Sequence, residues 1–350
     1  MLKRETLRIT VSRESTGTKE VPPLVKIGIE LVPERETMET VKYIKHAEEN
    51  GFQYAWVTDH YNNRNVYATL AVAAANTSKI RMGPGVTNPF LVFPAVTASA
   101  VATIDEISKG RAVMGIGAGD KGTLDQIGVE WKNPLTAVKE VVEICRLLWK
   151  GEAIKYDGQV FKIKNARLSY KPTGEIPVYI GAQGPKMLAL AAELGDGALI
   201  NASNPKDIEP AVKIIKETLK KVGKKEFDIV AYTSFSVDAN KEEAKKMATY
   251  VVAFIAAAAP SVVLERHGIP ESDVQQIREL IGAGKIGKAA KSVTDDMLEA
   301  FSIYGTPSEC TEKMAKLVKI GVTQLVVGSP IAADKMKAIE LIGKEVLPSL

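Results

Sequence analysis

The chain first shows its fold in residues 25–51, which read VKIGIELVPERETMETVKYIKHAEENG. The apolar run Val25–Val32 is typical of a buried parallel strand, because such strands are covered by helices on both faces. A helix is predicted at Thr37–Asn50, where apolar residues recur every third position from Met38 to Ala47. Gly51 then stands where helices end. The stretch therefore predicts one strand–helix unit.

Seven similar units follow along the chain. Their predicted strands are Tyr54–Thr58, Ile80–Val86, Ala112–Ile116, Val178–Ile180, Ala198–Ile200, Asp228–Val237 and Gln324–Val327. Eight strand–helix units predict an α/β fold of the (β/α)8 TIM-barrel type. An open, doubly wound sheet is the alternative, and the number of units, eight rather than five or six, favours the barrel.

Two segments interrupt the strand–helix alternation. Residues 151–176 predict a small β insertion, because two short β-prone runs flank the turn Asp157-Gly158. Residues 259–305 predict a largely helical insertion. We expect residues 24–350 to form a single barrel domain and residues 1–23 a surface extension. An added strand at Leu7–Val11 is the alternative for that extension.

Composition narrows the class of protein. The 350 residues are 45% hydrophobic and 25% charged, as in soluble globular enzymes, and the net charge is only +4. The basic residues are dispersed, which argues against a nucleic-acid or membrane partner. Two cysteines in predicted helices, Cys145 and Cys310, indicate reduced thiols and a cytoplasmic location. The three histidines form no metal-ligand pattern, so we expect no metal.

Polar residues follow the predicted strands where each strand ends. These clusters include Gly28-Ile29-Glu30, Thr58-Asp59-His60, Gly83–Asn88, Gly115–Asp120, Gly181–Pro185, Asn201–Asn204, Thr233–Ser236 and Gly328–Pro330. The carboxyl ends of barrel strands meet at one end of the barrel, where such enzymes place their chemistry. The sequence therefore predicts an active site at this mouth.

Glu30 is the first candidate catalytic residue. Strand alternation places Ile27 and Ile29 on one face and Gly28 and Glu30 on the other, toward the barrel interior. Desolvation of an inward carboxyl raises its pKa, which suits a proton donor or acceptor near neutral pH. The structural alternative is a carboxylate paired with an arginine or lysine in the mouth.

The glycine-rich segment Gly117–Gly122 matches G-x-G-x-x-G but lies in the fourth unit, with Asp120 where a pyrophosphate would sit. We therefore reject a dinucleotide site and expect Gly117 and Gly119 to let a flat ligand approach the backbone. Amides of the turn Gly181–Pro185 suit a phosphate or carboxylate. For Asp59, His60 and Asp120, functional and purely structural roles are equally compatible with position.

Several of these stretches together resemble the coenzyme F420-dependent methylenetetrahydromethanopterin reductases, within the bacterial-luciferase-like barrel superfamily. The resemblance runs from about Lys26 to the C-terminus. It is carried by Gly28–Glu30, Tyr54–Asn63, Gly83–Pro89, Gly115–Asp120, Gly181–Pro185, Gly197–Pro205 and Glu265–Gly268.

The resemblance implies hydride transfer from reduced F420, a dissociable cosubstrate, to methylenetetrahydromethanopterin. It implies a non-proline cis peptide at Gly85–Val86 that backs the deazaflavin ring. Glu30 would protonate the pterin and assist opening to the iminium ion, with Asp120 and Gln183 as orienting helpers. Cofactor contacts would come from Asp59, His60, Gly85, Val86, Thr87, Asn88, Gly117, Gly119, Gly181, Ala182 and Gly184.

Other functions stay open at this point. An F420-dependent alcohol or sugar-phosphate dehydrogenase would use His60 as the base and leave Glu30 secondary. A non-catalytic F420- or flavin-binding barrel would have no need for carboxyls facing the ring. The resemblance also implies a homodimer or a homotetramer, and a tetrahydromethanopterin-type pterin as the substrate.

Overall fold

The computed structural model describes residues 25–350. The predicted extension at residues 1–23, with its alternative strand at Leu7–Val11, lies outside the described residues. Within the described part, no helix combines the length and the apolarity needed to cross a membrane.

Strands and helices alternate along this part of the chain. The strands are β1 (Lys26–Leu31), β2 (Tyr54–Val57), β3 (Arg81–Pro84), β4 (Met114–Ile116), β5 (Ile154–Asp157), β6 (Lys162–Ala166), β7 (Val178–Gly181), β8 (Gly197–Asn201), β9 (Asp228–Val237), β10 (Ile303–Gly305) and β11 (Gln324–Ile331). The first helices are α1 (Thr37–Glu49), α2 (Val66–Asn76), α3 (Pro94–Ser108), α4 (Lys121–Gln126), α5 (Pro134–Trp149), α6 (Pro185–Leu194) and α7 (Pro205–Val222). They are followed by α8 (Lys241–Ala258), α9 (Ser261–His267), α10 (Glu271–Gly282), α11 (Ile286–Lys291), α12 (Asp295–Phe301), α13 (Pro307–Ile320) and α14 (Lys335–Leu341). A π-helical turn at Ile342–Val346 and a 3-10 turn at Leu347–Ser349 end the chain.

Eight parallel strands form the barrel in the order β3-β2-β1-β11-β9-β8-β7-β4. Two parallel bridges, Met82 with Ala112 and Thr87 with Ile116, bring β4 back beside β3. The barrel is therefore nearly closed, and the (β/α)8 prediction is confirmed over the open sheet. All eight predicted barrel strands are present, with ends that shift by a few residues.

The alternation predicted for β1 is also confirmed. Ile27 and Ile29 belong to the large core between strands and helices. A Cβ built on Gly28 would instead lie 3.3 Å from Trp56 Nε1, inside the barrel. The interior is filled around the stacked rings of Tyr54 and Trp56, with Tyr179 edge-on to both. This aromatic layer closes the barrel beneath the mouth.

The segments predicted as insertions contain a hairpin and four helices. Strands β5 and β6 pair antiparallel, and the buried carboxylate of Glu140 on α5 accepts hydrogen bonds from the amides of Gln159, Val160 and Phe161. Helices α9–α12 pack with α8 around a second apolar cluster that includes Leu264, Val274 and Met297. The boundaries of the domain and its insertions stay a prediction.

Some local details differ from the sequence predictions. Met38 is 50% exposed, so the buried apolar residues of α1 are Val41, Ile44 and Ala47. The short helix α4 and the strand β10, which pairs with β9, have no counterpart among the predicted elements. Elements this short leave little periodic signal. Asn204 caps α7, and Thr306 with Glu309 forms a capping box at the start of α13.

Candidate active site

The polar strand ends converge at one mouth, as the parallel sheet requires. The ends of β3 and β4 are joined directly, since the Thr87 amide donates to the Gly115 carbonyl at 3.0 Å and the Gly117 amide donates to the Thr87 carbonyl at 2.9 Å. The candidate site residues lie at the ends of β1, β2, β3, β4 and β7 or in the loops that follow these strands.

Glu30 lies at the end of β1 with only 5% of its surface exposed. Its Oε2 accepts two hydrogen bonds from Ser329 on β11, from the amide at 2.6 Å and from the hydroxyl at 2.9 Å. Burial raises the pKa of Glu30, and the bonds from Ser329 oppose that rise. No arginine or lysine forms a salt bridge with Glu30 in the described structure, but Lys335 is close enough to lower its pKa. The carboxyl therefore keeps its proton to higher pH than a carboxyl in water does.

A backbone bulge follows β3. The Gly85–Val86 peptide is cis, as the resemblance implies. The hydroxyl of the half-buried Tyr232 donates to the Gly85 carbonyl at 3.0 Å. A Cβ on Gly117 would come within 2.8 Å of Val86 Cγ2, and one on Gly181 within 3.4 Å. The absence of side chains at Gly117 and Gly181 therefore leaves room for Val86 at the mouth.

Asp59 and Thr87 are in direct contact. The Thr87 hydroxyl donates to Asp59 Oδ2 at 2.7 Å and lies 3.1 Å from the Tyr67 hydroxyl. Burial raises the pKa of Asp59, and the bond from Thr87 opposes it. These contacts hold the end of β2 against the bulge after β3.

His60 is exposed at the rim. Its charge lowers the pKa of Glu30, of Asp59 and of Asp120. His60 is therefore close enough to act electrostatically on carboxyls from three different strand ends.

Asp120 and Gln183 are exposed on the rim and form no hydrogen bond with Glu30. Asp120 caps α4, since its Oδ1 accepts from the Thr123 amide at 2.7 Å and hydroxyl at 2.6 Å. These bonds lower the pKa of Asp120. The Gln183 amide group donates to the Asn201 carbonyl at 3.3 Å. Both side chains have local structural partners, and a ligand-binding role for them stays a prediction.

The remaining predicted cofactor contacts differ in whether their polar groups are free to bind a ligand. Asn88 is buried, and its side-chain oxygen accepts from the amides of Phe90 and Leu91, while Gly119 lies against it. The Ala182 amide donates to the Leu199 carbonyl, so it is not available to a ligand. The Gln183 and Gly184 amides have no acceptor among the described residues. They precede α6, where backbone amides suit an anion.

Two residues in contact with the site were missed by sequence reasoning: Ser329, which binds Glu30, and Tyr232, which binds the bulge. Ser329 stands in a strand-end cluster, which was the only available signal. Tyr232 alternates inward with Ser234 on β9, but nothing local marks its partner.

The geometry suits a flat, anionic organic ligand. Glycines leave the backbone bare at the ends of β4 and β7, and free amides stand at the start of α6. No group of three or more His, Cys, Asp or Glu side chains in the described residues could hold a metal. A cleft of about 640 Å³ lined by Lys26, Glu48 and Arg81 lies at the opposite end of the barrel, away from these groups.

Fold and site together define a luciferase-like barrel, and the family model for luciferase-like monooxygenases matches residues 24–324. The chain is 55% identical over 332 residues to the 5,10-methylenetetrahydromethanopterin reductase of Archaeoglobus fulgidus, covering 93% of this chain and 100% of that one. It is 49% identical to the enzyme of the same name from Methanolobus tindarius, covering 91% and 99%.

A solved structure agrees with these relatives. The coenzyme F420-dependent tetrahydromethanopterin reductase from Methanopyrus kandleri superposes with a TM-score of 0.89 at 46% identity, covering 93% of this chain and 99% of that one. Within the luciferase-like barrels, this chain belongs to the F420-dependent 5,10-methylenetetrahydromethanopterin reductases. An F420-dependent secondary alcohol dehydrogenase, at 22% identity and a TM-score of 0.76, shares the fold.

Proposed function

We propose that this chain catalyses reversible hydride transfer between reduced F420 and methylenetetrahydromethanopterin, giving the methyl compound. The observation that carries the proposal is the buried Glu30 carboxyl at the mouth of the barrel. The relatives at 49–55% identity are named for this activity. Proton transfer and hydride transfer have to occur side by side, and the mouth offers a carboxyl next to a bare backbone surface.

F420, when bound, supplies the hydride from its deazaflavin ring. The residues that would hold the ring are Val86 on the bulge, with Gly117 and Gly181 around it. Fixing two flat ligands face to face removes most of the entropy cost of their reaction. The Gln183 and Gly184 amides would receive an acidic part of the cofactor. In this proposal F420 dissociates after each turnover, and no metal takes part.

Glu30 would be the acid. Burial raises its pKa, so a larger fraction of the carboxyl stays protonated near neutral pH than in water. The proton would pass to the pterin nitrogen and assist opening to the iminium carbon that accepts the hydride. A positioned general acid of this kind contributes roughly 10²–10⁴-fold to the rate.

The rim residues would orient the ligands. Asp120 is held ionised by its bonds with Thr123, which suits attraction of a developing positive charge on the pterin. Asp59, His60, Thr87 and Asn88 would contact the deazaflavin. We further propose a homodimer or homotetramer acting in the cytoplasm.

The test is anaerobic loss of reduced F420 with methylenetetrahydromethanopterin, comparing the native chain with Glu30→Gln. Glu140→Gln is a matched control, because Glu140 is also buried but its carboxylate accepts hydrogen bonds from the β5–β6 hairpin and has none with Glu30 or Ser329. We expect robust turnover in the native chain and in Glu140→Gln. In Glu30→Gln we expect a loss of about 10²-fold or more with F420 still bound.

The opposite outcomes are also informative. Full turnover in Glu30→Gln would move the acid elsewhere, with Asp120 as the next candidate. Absence of turnover in the native chain, with F420 bound, would refute the proposed substrate. Secondary alcohols and sugar phosphates would then be tried, with His60→Asn as the diagnostic variant.

A further inference from the structure

Ser329 occupies an irregular position on β11. In the pairing of β11 with β9, Gly328 is opposite Ser234 and Pro330 is opposite Phe235, so Ser329 is an extra residue without a partner in the ladder. A bulge of this kind frees a backbone amide and re-aims a side chain. Here the freed amide and the hydroxyl of Ser329 both donate to Glu30 Oε2.

The two oxygens of Glu30 are therefore different. Oε2 accepts two hydrogen bonds, whereas Oε1 accepts none from the described residues. Oε1 is thus the oxygen without a described donor, in a residue of which 5% is exposed. An oxygen that already accepts two donors is the poorer place for a proton, and the proton belongs on Oε1.

The surroundings hold Ser329 in place. The Ser234 hydroxyl donates to the Ser329 carbonyl at 3.2 Å, and the Ser234 amide donates to the Ser203 hydroxyl at 3.1 Å. These bonds link the ends of β8, β9 and β11. A Cβ on Gly328 would lie 2.4 Å from the Thr233 carbonyl oxygen and 3.2 Å from Glu30 Oε2, so only glycine fits before the bulge.

We propose that Ser329 is a positioning residue for the reaction: by occupying Oε2 it keeps the acidic proton of Glu30 on Oε1, facing the ligands. This inference rests on the proposed function, because it assigns the orientation of the proposed acid. Ser329 itself touches neither ligand in this proposal.

The charged groups around Glu30 determine the direction in which its pKa should shift when Ser329 is substituted. His60 and Lys335 both lower its pKa, and the phenol of Tyr232 lies within range of its charge. Ser329 also lowers the pKa, since its hydrogen bonds favour the ionised form. Removing the Ser329 hydroxyl should therefore raise it, and the protonated acid should persist to higher pH.

The experiment compares kcat and KM across pH for the native chain, Ser329→Ala and Ser108→Ala. Ser108 is a matched control, because its buried hydroxyl also takes part in two hydrogen bonds, with Asp105 and Arg111, near the amino ends of the strands. We expect the alkaline limb of kcat in Ser329→Ala to move up by about half a pH unit or more. We also expect kcat at its optimum to fall roughly 3–10-fold, with both KM values unchanged.

A double-mutant cycle separates positioning from general support. In the Glu30→Gln background, Ser329→Ala should cost less than twofold, because the proton it orients is gone. The inference would be overturned if Ser329→Ala lowered kcat equally in the native and Glu30→Gln backgrounds. It would also be overturned if the alkaline limb of kcat in Ser329→Ala coincided with that in Ser108→Ala.

A direct titration keeps the inference testable without turnover. The infrared carbonyl band of Glu30 is identified by its absence in Glu30→Gln, and its midpoint should lie higher in Ser329→Ala than in the native chain. An unchanged midpoint refutes the role of Ser329. Absence of pterin turnover in the native chain, with the midpoint shifted as expected, refutes the proposed reaction alone.

Discussion

Substitution of Tyr232 by phenylalanine tests how the bulge is held. The Tyr232 hydroxyl donates to the Gly85 carbonyl at 3.0 Å, and no other donor to that carbonyl is present in the described structure. The variant keeps the ring and its packing but leaves a carbonyl of the bulge without its partner.

The cost follows from this single bond. Leaving a buried acceptor unpaired costs about 1–3 kcal/mol. With an unfolding entropy of about 2.1 cal/mol/K per residue, a chain of this length loses about 3 °C in Tm for ~2 kcal/mol. If the bulge backs the F420 ring, a similar energy lost from the binding conformation weakens F420 binding about tenfold or more.

The assay pairs thermal unfolding with F420 affinity, and Tyr179→Phe is the control. The Tyr179 hydroxyl donates to Asp228 at 2.7 Å. Asp228 also binds Lys26, at the end of the barrel opposite the mouth. Both variants should lower Tm, but only Tyr232→Phe should weaken F420 binding. Native F420 affinity in Tyr232→Phe, at a Tm loss equal to that of Tyr179→Phe, would refute the proposed role of the bulge.

Variants at three residues test the electrostatics and the caps. Because burial raises the pKa of Glu30 above its ordinary 4.5, its ionised form destabilises the folded chain increasingly above that pH. Glu30→Gln should therefore raise Tm at pH 8 and lose this advantage toward pH 4, and a constant difference across pH would contradict the sign. Asp120→Ala should cost about 1 kcal/mol through loss of the Thr123 cap, and Asp120→Ser should restore it; denaturant unfolding measures both. If the Asp120 charge also orients the pterin, Asp120→Ser should have a low kcat despite native stability. A native kcat in Asp120→Ser would mean that Asp120 serves only as a helix cap. Glu140→Ala leaves three hairpin amides unpaired and should cost about 3 kcal/mol or more, with faster hydrogen exchange at residues 159–161; unchanged exchange there would contradict it.

Much of the architecture could be predicted from local pattern. The run Val25–Val32 and the three-residue spacing of α1 report burial directly, because each side chain's environment repeats with the period of its element. Glu30 could be placed on the inner face of β1 by the same argument. Caps such as Asn204 and Thr306 were predictable because their bonds span only two or three residues.

Other features required long-range contacts. Periodicity could not predict α4 or β10. Helix α4 has fewer than two turns, and strand β10 has only three residues. The sequence left a functional and a structural role equally open for Asp120, and its partner Thr123 was not recognised. The availability of the Gly184 amide, in contrast to that of Ala182, depends on which amide pairs with β8.

The sequence by itself therefore determined the barrel, the end at which its polar residues gather and the inward direction of Glu30. These follow from strand and helix periods, which are local. Only the tertiary structure decided what Glu30 and the bulge contact: Ser329 lies 299 residues from Glu30, and Tyr232 lies 147 residues from Gly85. Those partners meet because β1 pairs with β11 and the barrel closes, and neither the register nor the bulge at Ser329 leaves a periodic trace in the chain.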